Sequence, residues 1–134
     1  MYIRLIIFLI LSVSIVGCGP THLSLAPKTN EIPTEPIKDG MGELVVYRVS
    51  AYGILKTPYL AANAQVFGQC SYKKALYKAL EPGLQTISVD SNKFVINIVE
   101  GQRTYASCIP WELKIVDSAK GAEVVKTLER INAF

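Results

Sequence analysis

Glu81-Pro82-Gly83-Leu84-Gln85-Thr86-Ile87-Ser88-Val89-Asp90-Ser91-Asn92-Lys93-Phe94-Val95-Ile96-Asn97-Ile98-Val99 is the stretch that decides the fold. Pro82 presets φ, and Gly83 accepts the positive φ of a type II turn, so a hairpin turn is expected here. From Leu84 to Asp90 the pattern alternates: Ile87 and Val89 fall on one face, Thr86, Ser88 and Asp90 on the other. Period two, with one face apolar, is the mark of a half-buried strand. Ser91-Asn92 reads as a tight connection, and Lys93 to Val99 as the returning strand with Phe94, Ile96 and Ile98 inward.

The same grammar extends both ways. Downstream, Glu100-Gly101 turns, Arg103 to Ile109 is a strand ending at Cys108, and Trp111 to Val116 is a short one. Ala119 to Leu128 fits a helix with Val124, Val125 and Leu128 as its stripe, and Asn132 to Phe134 reads as a loose tail. Upstream, Glu43 to Val49 is apolar on both faces, which suggests a central strand. Ser50 to Pro58, with Gly53 inside it, is a loop; Tyr59 to Phe67 reads as one strand, and Gly68 to Lys74 as turns. Lys73 to Leu80 has the propensity for two turns of helix. Its alternation, Leu76, Lys78 and Leu80 against Tyr77 and Ala79, favours a strand. Short strands punctuated every eight to twelve residues predict an all-β fold, a small Ig-like or transthyretin-like β-sandwich with a short C-terminal helix.

The N-terminus reads differently. Arg4 precedes an apolar run from Leu5 to Val16, broken only by Ser12 and Ser14 and ended by Gly17-Cys18-Gly19-Pro20. One positive charge, about a dozen apolar residues and a small residue make an export signal, too short to span a bilayer. Ile15-Val16-Gly17-Cys18 resembles a bacterial lipobox, which implies a diacylglycerol and an N-acyl chain (palmitate or similar) on Cys18. An ordinary secretory signal and an uncleaved anchor are the alternatives. Acyl chains anchor by burying methylenes at about 0.8 kcal/mol each. By resemblance to Gram-negative lipoprotein sorting, Gly19 stands where an Asp would retain the protein in the inner membrane, which implies the outer membrane, facing the periplasm, as the expected location.

The expected organisation is a signal peptide over 1–17, a lipidated Pro-rich tether over 18–41, a sandwich over 42–130 and a tail over 131–134. Pro20, Pro27, Pro33 and Pro36 suit the tether to an extended spacer. Loss of Arg4 with the signal lowers the formal charge from +3 to about +2. That near balance gives no reason to expect nucleic acid as a partner.

Of three cysteines, Cys70 and Cys108 remain for the domain. An even pair in an exported chain favours a disulfide over two separate thiols. His22 is the only histidine and falls in the tether, which removes histidine triads and the usual histidine zinc sites from the domain. No phosphate-binding glycine loop is present. The carboxylates cluster at expected turns, where acids are ordinarily solvated, so no catalytic residue, metal site or cofactor beyond the lipid is expected.

Two binding candidates remain. Tyr72, Lys73, Lys74 and Tyr77, with Lys78, form a basic aromatic cluster that can grip a glycan, a peptide or an anionic surface; lysines guarding a sheet edge is the plainer account. Tyr52-Gly53-Ile54-Leu55, with Tyr59, forms an apolar loop tip that either contacts a partner or folds over the end of the sandwich. Arg48, after an apolar run, either caps the sheet or pairs with a carboxylate; a structural role is the stronger expectation.

Gly42-x-Leu44-Val45-Val46-Tyr47-Arg48, Glu81-Pro82-Gly83-Leu84-x-x-Ile87 and Glu100-Gly101-Gln102-x-Thr104-Tyr105 resemble an uncharacterised bacterial lipoprotein domain with consensus G-x-L-x-V-Y-R, P-G-x-H-x-I and G-x-x-Y-Y. The chain departs from it at Gln85 and Thr104 and in its two domain cysteines. The resemblance implies an Ig-like or prealbumin-like sandwich on an outer-membrane tether, without established enzyme activity. The expectation is a non-catalytic binding or accessory component of the cell envelope with a protein partner. A secretion or conjugation lipoprotein docking on a larger assembly is one alternative. A lysozyme-inhibitor-like or small-ligand-binding lipoprotein is the other.

Overall fold

A computed structural model describes residues 35–134; Cys18, His22 and the expected signal lie outside the described residues. Among these residues the chain runs β1 (Gly42–Tyr47), β2 (Tyr59–Ala62), β3 (Gln65–Gln69), β4 (Lys74–Leu80), β5 (Gly83–Val89), β6 (Asn92–Ile98), β7 (Arg103–Ile109), β8 (Glu112–Val116), α1 (Ser118–Val125) and β9 (Glu129–Asn132). A five-stranded sheet has the order β8-β7-β1-β4-β9 and faces a four-stranded sheet, β3-β2-β5-β6. The fold is an all-β sandwich with a short helix near its C-terminus.

Its centre is β1, antiparallel to β4 and parallel to β7. All six of its residues are buried, because both faces of this strand meet a core. Leu44 and Val46 join Leu60, Phe67, Ile87 and Ile98 between the sheets. Val45 and Tyr47 point the other way and pack with Tyr105, Val125 and Leu128 under α1. Asp117 caps that helix, its carboxylate accepting from the N–H groups of Ala119 at 3.1 Å and Lys120 at 3.2 Å. An acceptor there satisfies donors that a first turn leaves unpaired.

Several local expectations need correction. Tyr59 to Phe67 is a hairpin of β2 and β3, turned at Asn63 (φ 48°) and Ala64 (φ 70°). Gly68 and Gln69, expected in turns, end β3. Gly83 has the expected positive φ, 116°, but Pro82-Gly83 is no hairpin turn. It carries the chain from β4 in one sheet to β5 in the other. The β5–β6 turn is Asp90-Ser91, one residue earlier than expected, since Val89 pairs with Asn92. The helix ends at Val125, and Leu128 is buried beyond it.

The tail is not loose. Glu129–Asn132 pairs in parallel with β4, and the N–H of Ala133 donates to the Tyr77 carbonyl at 3.1 Å. Glu35, the first described residue, lies outside any strand but is fixed: its carboxylate meets Arg130 at 3.1 Å, and its carbonyl accepts from Arg103. Gly101 N–H donates to the Met41 carbonyl at 2.9 Å.

Candidate functional site: an apolar tip at one pole

The chain enters β1 at one pole of the sandwich and leaves at the other, through Arg48. The Arg48 side chain is fully buried. Its Nε donates to the Ser50 carbonyl (3.2 Å), one terminal nitrogen to those of Lys56 (2.8 Å) and Cys70 (3.3 Å), and the other to that of Tyr52 (2.7 Å). Burying an unpaired guanidinium would cost several kcal/mol; four aligned carbonyl dipoles offset much of that. Among the described residues the partners of Arg48 are these carbonyls rather than a carboxylate, so the capping alternative holds. The residue shapes the whole β1–β2 connection around its five donors.

A second fastener lies beside it. Cys70, just after β3, is bonded to Cys108 on β7, with Cα atoms 6.3 Å apart. The bridge joins the two sheets and is buried in the core. Cys70 N–H also donates to the Pro58 carbonyl at 2.9 Å. Tyr59 N–H donates to the Asp90 carboxylate at 2.8 Å, and Lys56 approaches the same carboxylate at 3.4 Å. Both ends of the connection are therefore held.

What this scaffold holds out is apolar. Leu55 is 100% exposed, Tyr52 65% and Ile54 49%. The tip is built from two tight turns, Ile54 N–H to the Ala51 carbonyl at 3.0 Å and Lys56 N–H to the Gly53 carbonyl at 2.9 Å. Gly53 has φ +64°, and a Cβ there would lie 2.8 Å from Pro110 Cγ, so the loop closes on Pro110 only with glycine. The Tyr52 ring meets Trp111 edge to face, with centroids 5.3 Å apart. Trp111, 47% exposed, is itself placed by Asn92, which donates to its carbonyl at 2.8 Å.

The basic cluster divides between this pole and the rest of the sheet. Lys73 N–H donates to the Arg48 carbonyl at 2.9 Å, which sets Tyr72, Lys73 and Lys74 at the same pole as Tyr52 and Ile54. Lys73 Nζ lies 5.4 Å from the Tyr72 ring centroid, and Lys74 pairs with Glu129 at 3.5 Å. Tyr77 belongs elsewhere: it sits on the outer face of the five-stranded sheet beneath the Arg130 guanidinium, 4.0 Å from its ring centroid. Burial raises its pKa, partly countered by Arg130. Lys78 turns inward, 5.9 Å from the Phe67 ring, and lines a cavity of about 250 Å³ at the opposite pole with Asn63, Gln65, Glu81 and Gln85.

The sequence singled out Tyr52 and Ile54 but not Trp111. Trp111 was expected to open the last strand, but that strand begins at Glu112 and Trp111 lies in the turn before it; an aromatic directly after Pro110 is the signal that could have marked it. Among the described residues no group of three or more His, Cys, Asp or Glu side chains is placed to hold a metal. The tip offers shape and apolar area, a chemistry of association. Compared with models of known families, characterised proteins and solved structures, the chain matches none.

Proposed function

We propose that this chain is a lipid-anchored envelope module, held at the outer membrane through Cys18 and facing the periplasm, that binds a partner protein through the apolar tip. The observation that carries the reading is the buried Arg48, which fixes a loop whose most exposed residue is leucine. Ordering that loop before contact lowers the entropy cost of binding, and aromatic anchors such as Tyr52 and Trp111 are typical of interface centres.

The tip is convex, so the partner surface is concave. An enzyme cleft has that shape, which favours an inhibitor of a wall-degrading enzyme as the second reading.

The test uses the full-length chain in its own membranes, with a photo-crosslinking residue at Leu55 and, as control, at Glu100 on the other pole. One discrete protein adduct from Leu55 alone is expected; equal labelling from both sites overturns the reading. A purified lysozyme slowed by the wild-type chain, but not by Leu55→Asp, would identify the partner as a hydrolase. Anchoring is checked separately by tritiated palmitate, which Cys18→Ala should not incorporate.

A further inference from the structure

Among the described residues β6 pairs only with β5, so its other side is an open edge. The hydrogen-bond phase shows which groups face outward. Thr86 on β5 turns both its groups to β2's side: its carbonyl accepts from Asn63 N–H at 2.8 Å, and its N–H donates to Asn63 Oδ1 at 3.1 Å. Successive residues of a strand address opposite neighbours. Gln85, Ile87 and Val89 therefore serve β6, through Ile96, Phe94 and Asn92. The N–H and C=O groups of Lys93, Val95 and Asn97 are left pointing away from the sheet.

Open edges are ordinarily blunted by shortness, charge, proline or a bulge. The other three edges carry such devices. β3 has five residues and an irregular register against β2 at Leu60/Ala61. β8 has five residues, among them Glu112 and Lys114. β9 has four, among them Glu129 and Arg130. β6 has seven residues, no proline and a single charge, Lys93, and it pairs with β5 in unbroken register. Val95 at its middle is 68% exposed.

We infer that β6 pairs antiparallel with β6 of a second copy of this chain, about a two-fold axis at Val95. In that register Val95 meets the second copy's Val95, and Lys93 meets the second copy's Asn97. Phe94, only partly buried at the core margin, gains the second copy's Ile96. About six backbone hydrogen bonds form, two at each of three facing pairs. A register centred on Lys93 would oppose two like charges, which is unfavourable. One centred on Asn97 would leave most of the strand unpaired. Charge and overlap thus select the Val95 register, and the closed two-fold pairing consumes both edges.

The experiment uses the full-length chain with Val95→Cys, mildly oxidised in native membranes and run on a non-reducing gel. A product of twice the chain mass is expected, since facing Cα atoms about 5.5 Å apart suit a disulfide. Leu84→Cys, on the sheet face, should give none above the wild-type background. Val95→Lys and Val95→Pro should each shift the detergent-solubilised protein from dimer to monomer mass by light scattering. Neither disturbs a bond to β5, so the monomer that Val95→Lys releases should stay folded by circular dichroism, while its melting temperature no longer rises with protein concentration as that of the dimer does. The inference is overturned by failure of Val95→Cys to link, by a linked product containing a different protein, or by retention of the dimer in both other variants.

Discussion

The Arg48 guanidinium and the Tyr52 carbonyl oxygen lie 2.7 Å apart, one fully buried and the other on a residue whose side chain is mostly in solvent. The tip is thereby built from inside. Arg48→Met should leave four carbonyls without their donor and cost about 3–5 kcal/mol, the scale of breaking a buried charged network. Arg48→Lys should recover only part of this, because an ammonium cannot fork to four oxygens. Urea denaturation of the three proteins checks the order.

The Cys70–Cys108 bridge spans 38 residues. In the chain-entropy picture such a loop contributes about 4 kcal/mol by restricting the unfolded chain. The double variant Cys70→Ala/Cys108→Ala should lose a comparable amount. Mass spectrometry of untreated protein should find neither thiol alkylatable.

At Gly121 two effects oppose each other. Alanine is better than glycine in a helix by about 1 kcal/mol. A Cβ at Gly121, however, would fall 2.4 Å from Tyr105 Cβ and Cγ, so α1 would have to lift from the sheet. Overpacking of this kind costs about 1–3 kcal/mol. The net expectation for Gly121→Ala is a lower melting temperature; an unchanged or higher one would show that α1 slides freely.

For the tip the expectation is a separation of stability from binding. Leu55 is wholly exposed, so Leu55→Asp should alter unfolding by no more than about 0.5 kcal/mol. It should abolish capture of the partner, read by co-purification from solubilised membranes.

Burial raises the phenol pKa values of Tyr47, Tyr77 and Tyr105 above 10.0. Below that pH both folded and unfolded chains keep these protons, and the stabilisation is complete. As pH climbs past it, the unfolded chain ionises first and draws the equilibrium toward unfolding. Melting temperature should therefore fall through the alkaline range, with tyrosinate absorbance rising together with unfolding rather than ahead of it.

The strands were legible where one face is wet. Ile87, Val89, Ile96 and Ile98 alternate cleanly and are all buried. Partners were less legible, because turn chemistry sets a φ angle and not a destination. Gly83 has the expected sign of φ, yet its chain crosses between sheets. The Asn63-Ala64 turn was hidden because alanine seldom adopts a positive φ, so nothing interrupted the apparent strand. β9 was hidden because Glu129–Asn132 is short and polar, and gains its place from main-chain bonds to β4. At the site, Tyr52 and Ile54 could be found as apolar residues in a loop. That Lys73 would join them, and Tyr77 would not, depended on which neighbour β4 acquired.

Placing β1 in the middle has a kinetic corollary. The earliest of the described strands to be synthesised finds its neighbours only when residues 74–80 and 103–109 have followed. Contacts so remote in sequence make folding slow, on the order of milliseconds to seconds. Its apolar faces meanwhile stay open to a chaperone until residues 103–109 have been synthesised.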